Sequence, residues 1–217
     1  SEIILSENSI NPEQIVVLSG PSHAENVYSN KPTSVVSASI NFKNSELIQQ
    51  IFSNDFFRVY TSNDVVGVEL GGAIKNVIAV SAGICYGLEL GDNSIAALIS
   101  RGLEEIVRLG LAMGAERKTL TGLSGLGDLV ATSFSIHSRN RLLGEKIAQS
   151  TSNVNEIVKS INMVAEGYYT AKSVYKLSHS KSVEMPICNE VYNILYKNKS
   201  PKLAIQDLMS RNLKVEN

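Results

Sequence analysis

The chain is 217 residues long, 43% hydrophobic and 19% charged, the balance of an ordinary water-soluble protein of one or two domains. Its 20 basic and 21 acidic residues leave a formal charge of -1, so no overall field favours nucleic acid or an anionic membrane, and specificity has to be local. Glu69, Lys75 and Asn76 break the longest apolar run before it reaches the ~20 residues of a membrane helix, so no membrane insertion is expected.

The opening "SEIILSENS" has neither a basic n-region nor a small-residue cleavage site, which argues against a secretory signal; it also lacks an initiator Met, which suggests a fragment. "QIVVLSGP" (Gln14 to Pro21) predicts a short strand stopped by Gly20 and Pro21, and "TSVVSAS" (Thr33 to Ser39) a second. "NSELIQQIFSN" predicts an amphipathic helix with Ser45 as its N-cap, and "FFRVYTS" (Phe56 to Ser62) a third strand. After Ser62 the texture becomes helical. "SNDVVGVELGGAIKNVIAVSAGICYG" starts from cap-competent Ser62, Asn63 and Asp64 and runs for about six turns. "DNSIAALISRGLEEIVRLGLAMGA" has Asp92 or Asn93 as cap and Gly114 near its stop, and "SRNRLLGEKIAQ" starts from Ser138. Pro186 and Pro201 fall in the first turns of the last two helices. The fold class is therefore mixed, α/β up to residue 61 and all-α from 62 to 217.

Cys85 and Cys188 form no CxxC or Cys/His cluster and read as reduced thiols in a cytoplasmic protein; His23, His137 and His179 share no metal-ligand spacing, so no metal is expected. Within "GGAIKNVIAV" the helical neighbours of Lys75 are Gly71, Gly72, Ile78 and Ala79, none of them acidic. The two glycines leave a hollow beside the ammonium, which suggests a pocket lysine, whereas a core lysine would need a partner from elsewhere in the fold. Gly67, Gly71, Gly72 and Gly83 each cost about 1 kcal/mol relative to Ala in an exposed helix, so close helix packing, an approaching ligand, or both must compensate.

"GLSGLGDLVAT" (Gly122 to Thr132) sets three glycines before Asp128; the string exposes backbone N–H groups as anion sites do, while Asp128 also suits a plain first-turn acid. Its spacing is not the dinucleotide GxGxxG. "HSRNR" (His137 to Arg141) puts Arg139 and Asn140 directly behind a Ser cap, where the helix dipole disfavours a cation unless an anion such as phosphate meets it; the alternative is a basic surface turn. "LSGPSHA" ends a strand where ligands gather in α/β sheets, and "NMVAEGYYTAK" puts Val164 and Glu166 at a helix start.

In this order, SGPSHA, GVELGGAIKNVIA, SRGLEEIVRLGLAMGA, GLSGLGDLVAT, SRNR, VAEGY and VEMPI make the chain resemble bacterial NAD(P)-dependent glycerol-3-phosphate dehydrogenase from about Ile15 to the C-terminus. The resemblance implies a Rossmann remnant (1–61) followed by a helical substrate domain (62–217) of the 6-phosphogluconate dehydrogenase type. It implies reversible reduction of dihydroxyacetone phosphate to sn-glycerol 3-phosphate with NADH or NADPH, feeding glycerophospholipid synthesis, in a homodimer. Lys75 would be the acid/base group, an ammonium without a carboxylate that desolvation makes ready to give up its proton. Asp128 would orient Lys75 and the substrate hydroxyls, and Asn76 and Thr132 would line the pocket. Ser138, Arg139 and Asn140 would take the phosphate, with Gly20 and Ser22 also at the substrate. Ala24, Val164, Glu166 and Arg139 would lie beside the cofactor.

The family's GxGxxG fingerprint and a further substrate lysine are missing, so the chain is expected not to turn over alone. The alternatives are a related dehydrogenase of the 6-phosphogluconate or ketopantoate type, and a helical binding or dimerisation module in which Lys75 is a core lysine paired with Asp128.

Overall fold

A computed structural model describes residues 4, 6, 11–150, 152–161, 164–213, 215 and 216. A 3₁₀ turn, Pro12–Gln14, precedes strand β1 (Val17–Ser19), helix α1 (Ala24–Tyr28) and strand β2 (Thr33–Ala38). Helix α2 (Phe42–Phe52) then leads to strand β3 (Phe57–Ser62). β1 runs antiparallel to β2, pairing Val17 with Ala38; β2 runs parallel to β3, from Thr33 against Phe57 to Ala38 against Ser62. The parallel pair needs a crossover, and α2 supplies it. Val35 and Val59, paired in register, and Ala38 are buried in this sheet.

The α2 N-cap is Asn41, whose side chain accepts from the Lys43 N–H, and not Ser45. Ser45 lies a turn further on, fully buried, where its carbonyl accepts from the Ser37 hydroxyl at 3.1 Å. Both residue types are good caps, and burial against the sheet decides between them.

Helix α3 (Val65–Gly87) forms the axis of the remaining chain. Its cap is Asp64, with one carboxylate oxygen accepting from Gly67 N and the other from Glu116 N, both at 2.8 Å. Contrary to the sequence expectation, α3 is long and apolar enough to span a membrane by length and composition. Its most apolar stretch is 61% buried among its neighbours, the burial of a core helix. Val68, Ile74, Val77 and Ile78 are almost wholly buried, each stabilising the fold by about 1.5–3 kcal/mol relative to an exposed side chain.

Around this axis come α4 (Asp92–Ala112), α5 (Arg117–Leu120), a π-helical turn (Leu123–Gly127) and α6 (Asp128–Phe134). They are followed by α7 (Arg139–Gln149), α8 (Val154–Ser160), α9 (Glu166–Ser180), α10 (Pro186–Lys197) and α11 (Pro201–Met209). The α4 cap is Gly91, at φ 79, with no side-chain bond; Asp92 falls inside the first turn, where the dipole still favours it. Cys85 and Cys188 are buried, unpaired thiols, and burial pushes Cys85 up to about 11.

The glycines of α3 serve packing. A Cβ on Gly83 would stand 1.9 Å from the Arg141 carbonyl oxygen, and one on Gly144 would stand 2.0 Å from that of Val80. α3 and α7 therefore touch backbone to backbone, glycine against glycine.

Helix α10 begins at Pro186 behind Met185, which offers no cap, and the acceptors come from α4 instead. Glu105, 1% exposed, accepts from Ile187 N at 2.6 Å and Cys188 N at 3.0 Å. Burial raises its carboxyl pKa and these two N–H groups pull it back. Glu105→Ala leaves both donors buried without an acceptor, so it is expected to destabilise the chain by about 3 kcal/mol, with Glu105→Gln near half of that. Urea unfolding midpoints check the order.

Candidate active site

Lys75 and Asn76 lie midway along α3 and face two different neighbours. The Lys75 ammonium meets Asp128 at the start of α6, with Nζ 2.5 Å from Oδ2; the two side chains are 17% and 6% exposed. The other carboxylate oxygen accepts from the Thr132 hydroxyl at 3.3 Å, one turn along α6. Lys75 is therefore not an ammonium without a carboxylate. Its partner comes from another helix, which the spacing along α3 cannot reveal.

Glycines bring that partner in. A Cβ on Gly125 would lie 1.8 Å from the Leu120 carbonyl oxygen, so only glycine lets the π turn fold this tightly ahead of Asp128. A Cβ on Gly71 would meet the Ser124 carbonyl oxygen at 2.8 Å, and one on Gly72 the Ser19 hydroxyl at 2.8 Å. The hollow expected beside the ammonium is thus filled by protein. Nor does the glycine string offer free donors at its C-terminal end. Gly127 N donates to Gly122 O at 3.0 Å, and the Asp128 N–H turns back to Gly125 and Leu123 carbonyls, because the π turn runs on into α6.

The start of α7 forms a second wall. Ser138 is its N-cap, with the hydroxyl accepting from Arg141 N at 3.3 Å. Arg141 belongs to the fold: it meets Glu145 at 2.7 Å, donates to Phe134 O at 2.6 Å and lies 3.7 Å over the Tyr86 ring. Arg139 is different. It is exposed, and among the described residues it has one hydrogen-bond partner, Val164 O at 3.5 Å, and no carboxylate partner. A cation without a counter-charge at a helix N-terminus suits a doubly charged anion.

Asn140 reaches from the same turn to Asn76, donating from Nδ2 to Oδ1 at 2.9 Å, and Asn76 donates to Glu166 Oε2 at 3.0 Å. The loop after β1 closes the third side. Gly20, at φ 150, sits so close over β2 that a Cβ would be 2.9 Å from Val35 Cα. Ser22 donates back to Gly20 O at 3.0 Å, and His23 Nε2 lies 3.3 Å from Ala131 O on α6, an acceptor that makes the ring nitrogen the donor.

Together these walls enclose a cleft of about 590 Å³. Lys75, Asn76 and Thr132 line it from α3 and α6, and Ser138, Arg139 and Asn140 from α7. Ser22 lines it from the loop after β1 and Ala24 from the start of α1, with Val164 just before α9 and Glu166 at its first residue. Of the residues singled out in the sequence, Asp128 lies behind Lys75 and Gly20 in the loop after β1; neither lines the cleft. Sequence reasoning missed His23, Glu25 and His137, which do. Each adjoins a selected residue, and nothing in its local pattern sets it apart. Among the described residues no three His, Cys, Asp or Glu side chains converge as a metal site needs.

The family model described as NAD-dependent glycerol-3-phosphate dehydrogenase C-terminus matches residues 64–206, and the corresponding N-terminus model matches residues 1–45. The chain belongs to the NAD-dependent glycerol-3-phosphate dehydrogenase family. Among curated members of that family, glycerol-3-phosphate dehydrogenase [NAD(P)+] of Staphylococcus aureus (strain JH9) is 51% identical over 219 residues, covering 100% of this chain. The chain spans 65% of the length of that relative. Of solved glycerol-3-phosphate dehydrogenases, that of Coxiella burnetii superposes with TM-score 0.87 at 41% identity, covering 90% of this chain and 60% of its own. That of Saccharomyces cerevisiae gives 0.84 at 27% identity, covering 97% and 63%.

Proposed function

We propose that this chain supplies the substrate-binding part of an oxidoreductase that interconverts dihydroxyacetone phosphate and sn-glycerol 3-phosphate with NAD(P)H. One juxtaposition carries the reading: Lys75, held by Asp128, shares a cleft with Arg139, a cation with no carboxylate partner among the described residues, at a capped helix tip. Ser138, Arg139 and Asn140 hold the phosphoester. Lys75 then faces the ketone at the other end, and gives its proton to the carbonyl oxygen as that oxygen becomes a hydroxyl. Asp128 keeps the ammonium aimed, and shares its other oxygen with Thr132. Asn76 and Ser22 bound the space for the carbon chain, and Gly20 belongs to the turn that sets Ser22 in place.

The chain's own residues fit one end of a nicotinamide nucleotide. Ala24 and Val164, the latter 60% exposed, offer an apolar wall; Glu166 can accept from a ribose hydroxyl; Arg139 adds a cation. When bound, the reduced nicotinamide supplies a hydride to the ketone carbon. No GxGxxG turn occurs in the 217 residues to seat the pyrophosphate. In this reading residues 1–61 belong to the nucleotide-binding domain and 62–217 form the substrate domain of a cytoplasmic homodimer that serves glycerophospholipid synthesis.

The test joins residues 1–217 to the portion of the Staphylococcus aureus relative that lies outside the matched region. The joined polypeptide is expected to oxidise NADH or NADPH only when dihydroxyacetone phosphate is present, with kcat on the order of 1–10³ per second, while residues 1–217 alone show no turnover. A folded, nucleotide-binding product that acts instead on 6-phosphogluconate or ketopantoate sinks the reading.

A further inference from the structure

Two buried asparagines connect the two ends of the cleft. Asn76 on α3 and Asn140 on α7 are 5% and 7% exposed, and the groups at either end fix the direction of their amides. The Gly167 N–H can only donate, so Asn140 turns Oδ1 toward it, at 2.8 Å. Asn140 Nδ2 therefore faces Asn76 Oδ1 at 2.9 Å, and Asn76 Nδ2 donates to Glu166 Oε2 at 3.0 Å and to Gly72 O at 3.4 Å. Glu166 and Gly167 are neighbours in the first turn of α9, which grips the amide pair with an acceptor at one end and a donor at the other. The fit is tight, because a Cβ on Gly167 would lie 2.5 Å from Asn76 O. Both Asn76 amide hydrogens are engaged. One of the two on Asn140 has no partner among the described residues, and Asn140 lines the cleft next to Arg139.

Resting on the reading of Ser138 to Asn140 as the phosphoester seat, we propose that Glu166 is a positioning residue for that seat. Through Asn76 it holds the Asn140 amide with its spare N–H presented to the phosphate. Without the carboxylate, Asn76 is free to turn its NH2 group toward that of Asn140, donor against donor, and Asn140 is left with Gly167 alone. Coulomb's law by itself gives the opposite sign, since removing a carboxylate from a cleft that receives a phosphate dianion strengthens binding. Two variants separate the effects: Glu166→Gln removes the charge and keeps an acceptor, whereas Glu166→Ala removes both. Glu166 is exposed, so neither threatens the core.

Glycerol 3-phosphate is titrated calorimetrically into residues 1–217 without nucleotide, and the side-chain amide signals of Asn76 and Asn140 are followed by NMR. E166Q is expected to bind at least as tightly as the parent, and E166A about tenfold more weakly than E166Q. The Asn140 amide pair shifts in E166A and returns in E166Q. Equal affinity of E166A and E166Q overturns the proposal. A parent chain that takes up no glycerol 3-phosphate overturns the phosphoester seat instead. The amide signals then decide the positioning role alone, against it if E166A leaves the Asn140 pair unmoved, and for it if E166A moves the pair and E166Q restores it.

Discussion

Lys75→Ala in the joined enzyme is expected to lower kcat for dihydroxyacetone phosphate reduction by about 10³-fold, the range in which a positioned general acid acts. KM for the phosphoester should change little, because the residues proposed to hold it, Ser138, Arg139 and Asn140, lie at the start of a separate helix. Lys75→Arg should not rescue the rate, since a guanidinium does not release its proton and its planar fork cannot copy an ammonium 2.5 Å from one carboxylate oxygen. Lys75→Met keeps the stem's volume and separates lost chemistry from lost packing, because either change leaves Asp128 nearly buried beside the Thr132 hydroxyl alone. Steady-state rates for the three variants, each with a melting curve, decide the matter. A kcat within tenfold of the parent in Lys75→Ala would remove Lys75 from the chemistry.

Gly144→Ala is expected to cost at least about 3 kcal/mol, a large share of the ~5–15 kcal/mol that holds a typical domain. The obstacle is covalent geometry. The new Cβ would stand 2.0 Å from Val80 O and 2.7 Å from Ile84 N, and neither backbone atom can rotate away. α7 would have to lift from α3, taking Ser138, Arg139 and Asn140 with it. Gly72→Ala is the contrast, because its Cβ would meet a serine hydroxyl that can choose another rotamer. Thermal unfolding should show Gly144→Ala melting about 10 °C lower and Gly72→Ala close to the parent.

What was legible in the sequence had a local cause. β-branched runs marked β1 and β2 and FFRVYTS marked β3, apolar spacing marked α3, and Ser138 fell at the cap of α7 because a hydroxyl before a helix has one obvious use. What was hidden depended on residues distant in the chain. Asp128 as the partner of Lys75 was open from the start as one of several roles, and 53 positions separate the two, so only the packing of the π turn on Gly71 brings them together. Nothing in the local sequence around Glu105 distinguishes it; its use appears only when α10 arrives with two uncapped N–H groups. α1, α5 and α8 have between four and seven residues, too short for a period to declare itself. Asn41 was passed over for Ser45 because two competent caps stood four residues apart and burial settled the matter.

Lys75 and Asn76 sit on the helix that the rest of the chain is folded around. Amide hydrogens in its middle exchange with solvent only when the surrounding helices come apart, so this wall of the cleft has no cheap way to breathe. Any adjustment of this cleft to temperature, or to a differently shaped ligand, has to act through the exposed parts that meet it: the loop after β1 and the tip carrying Arg139.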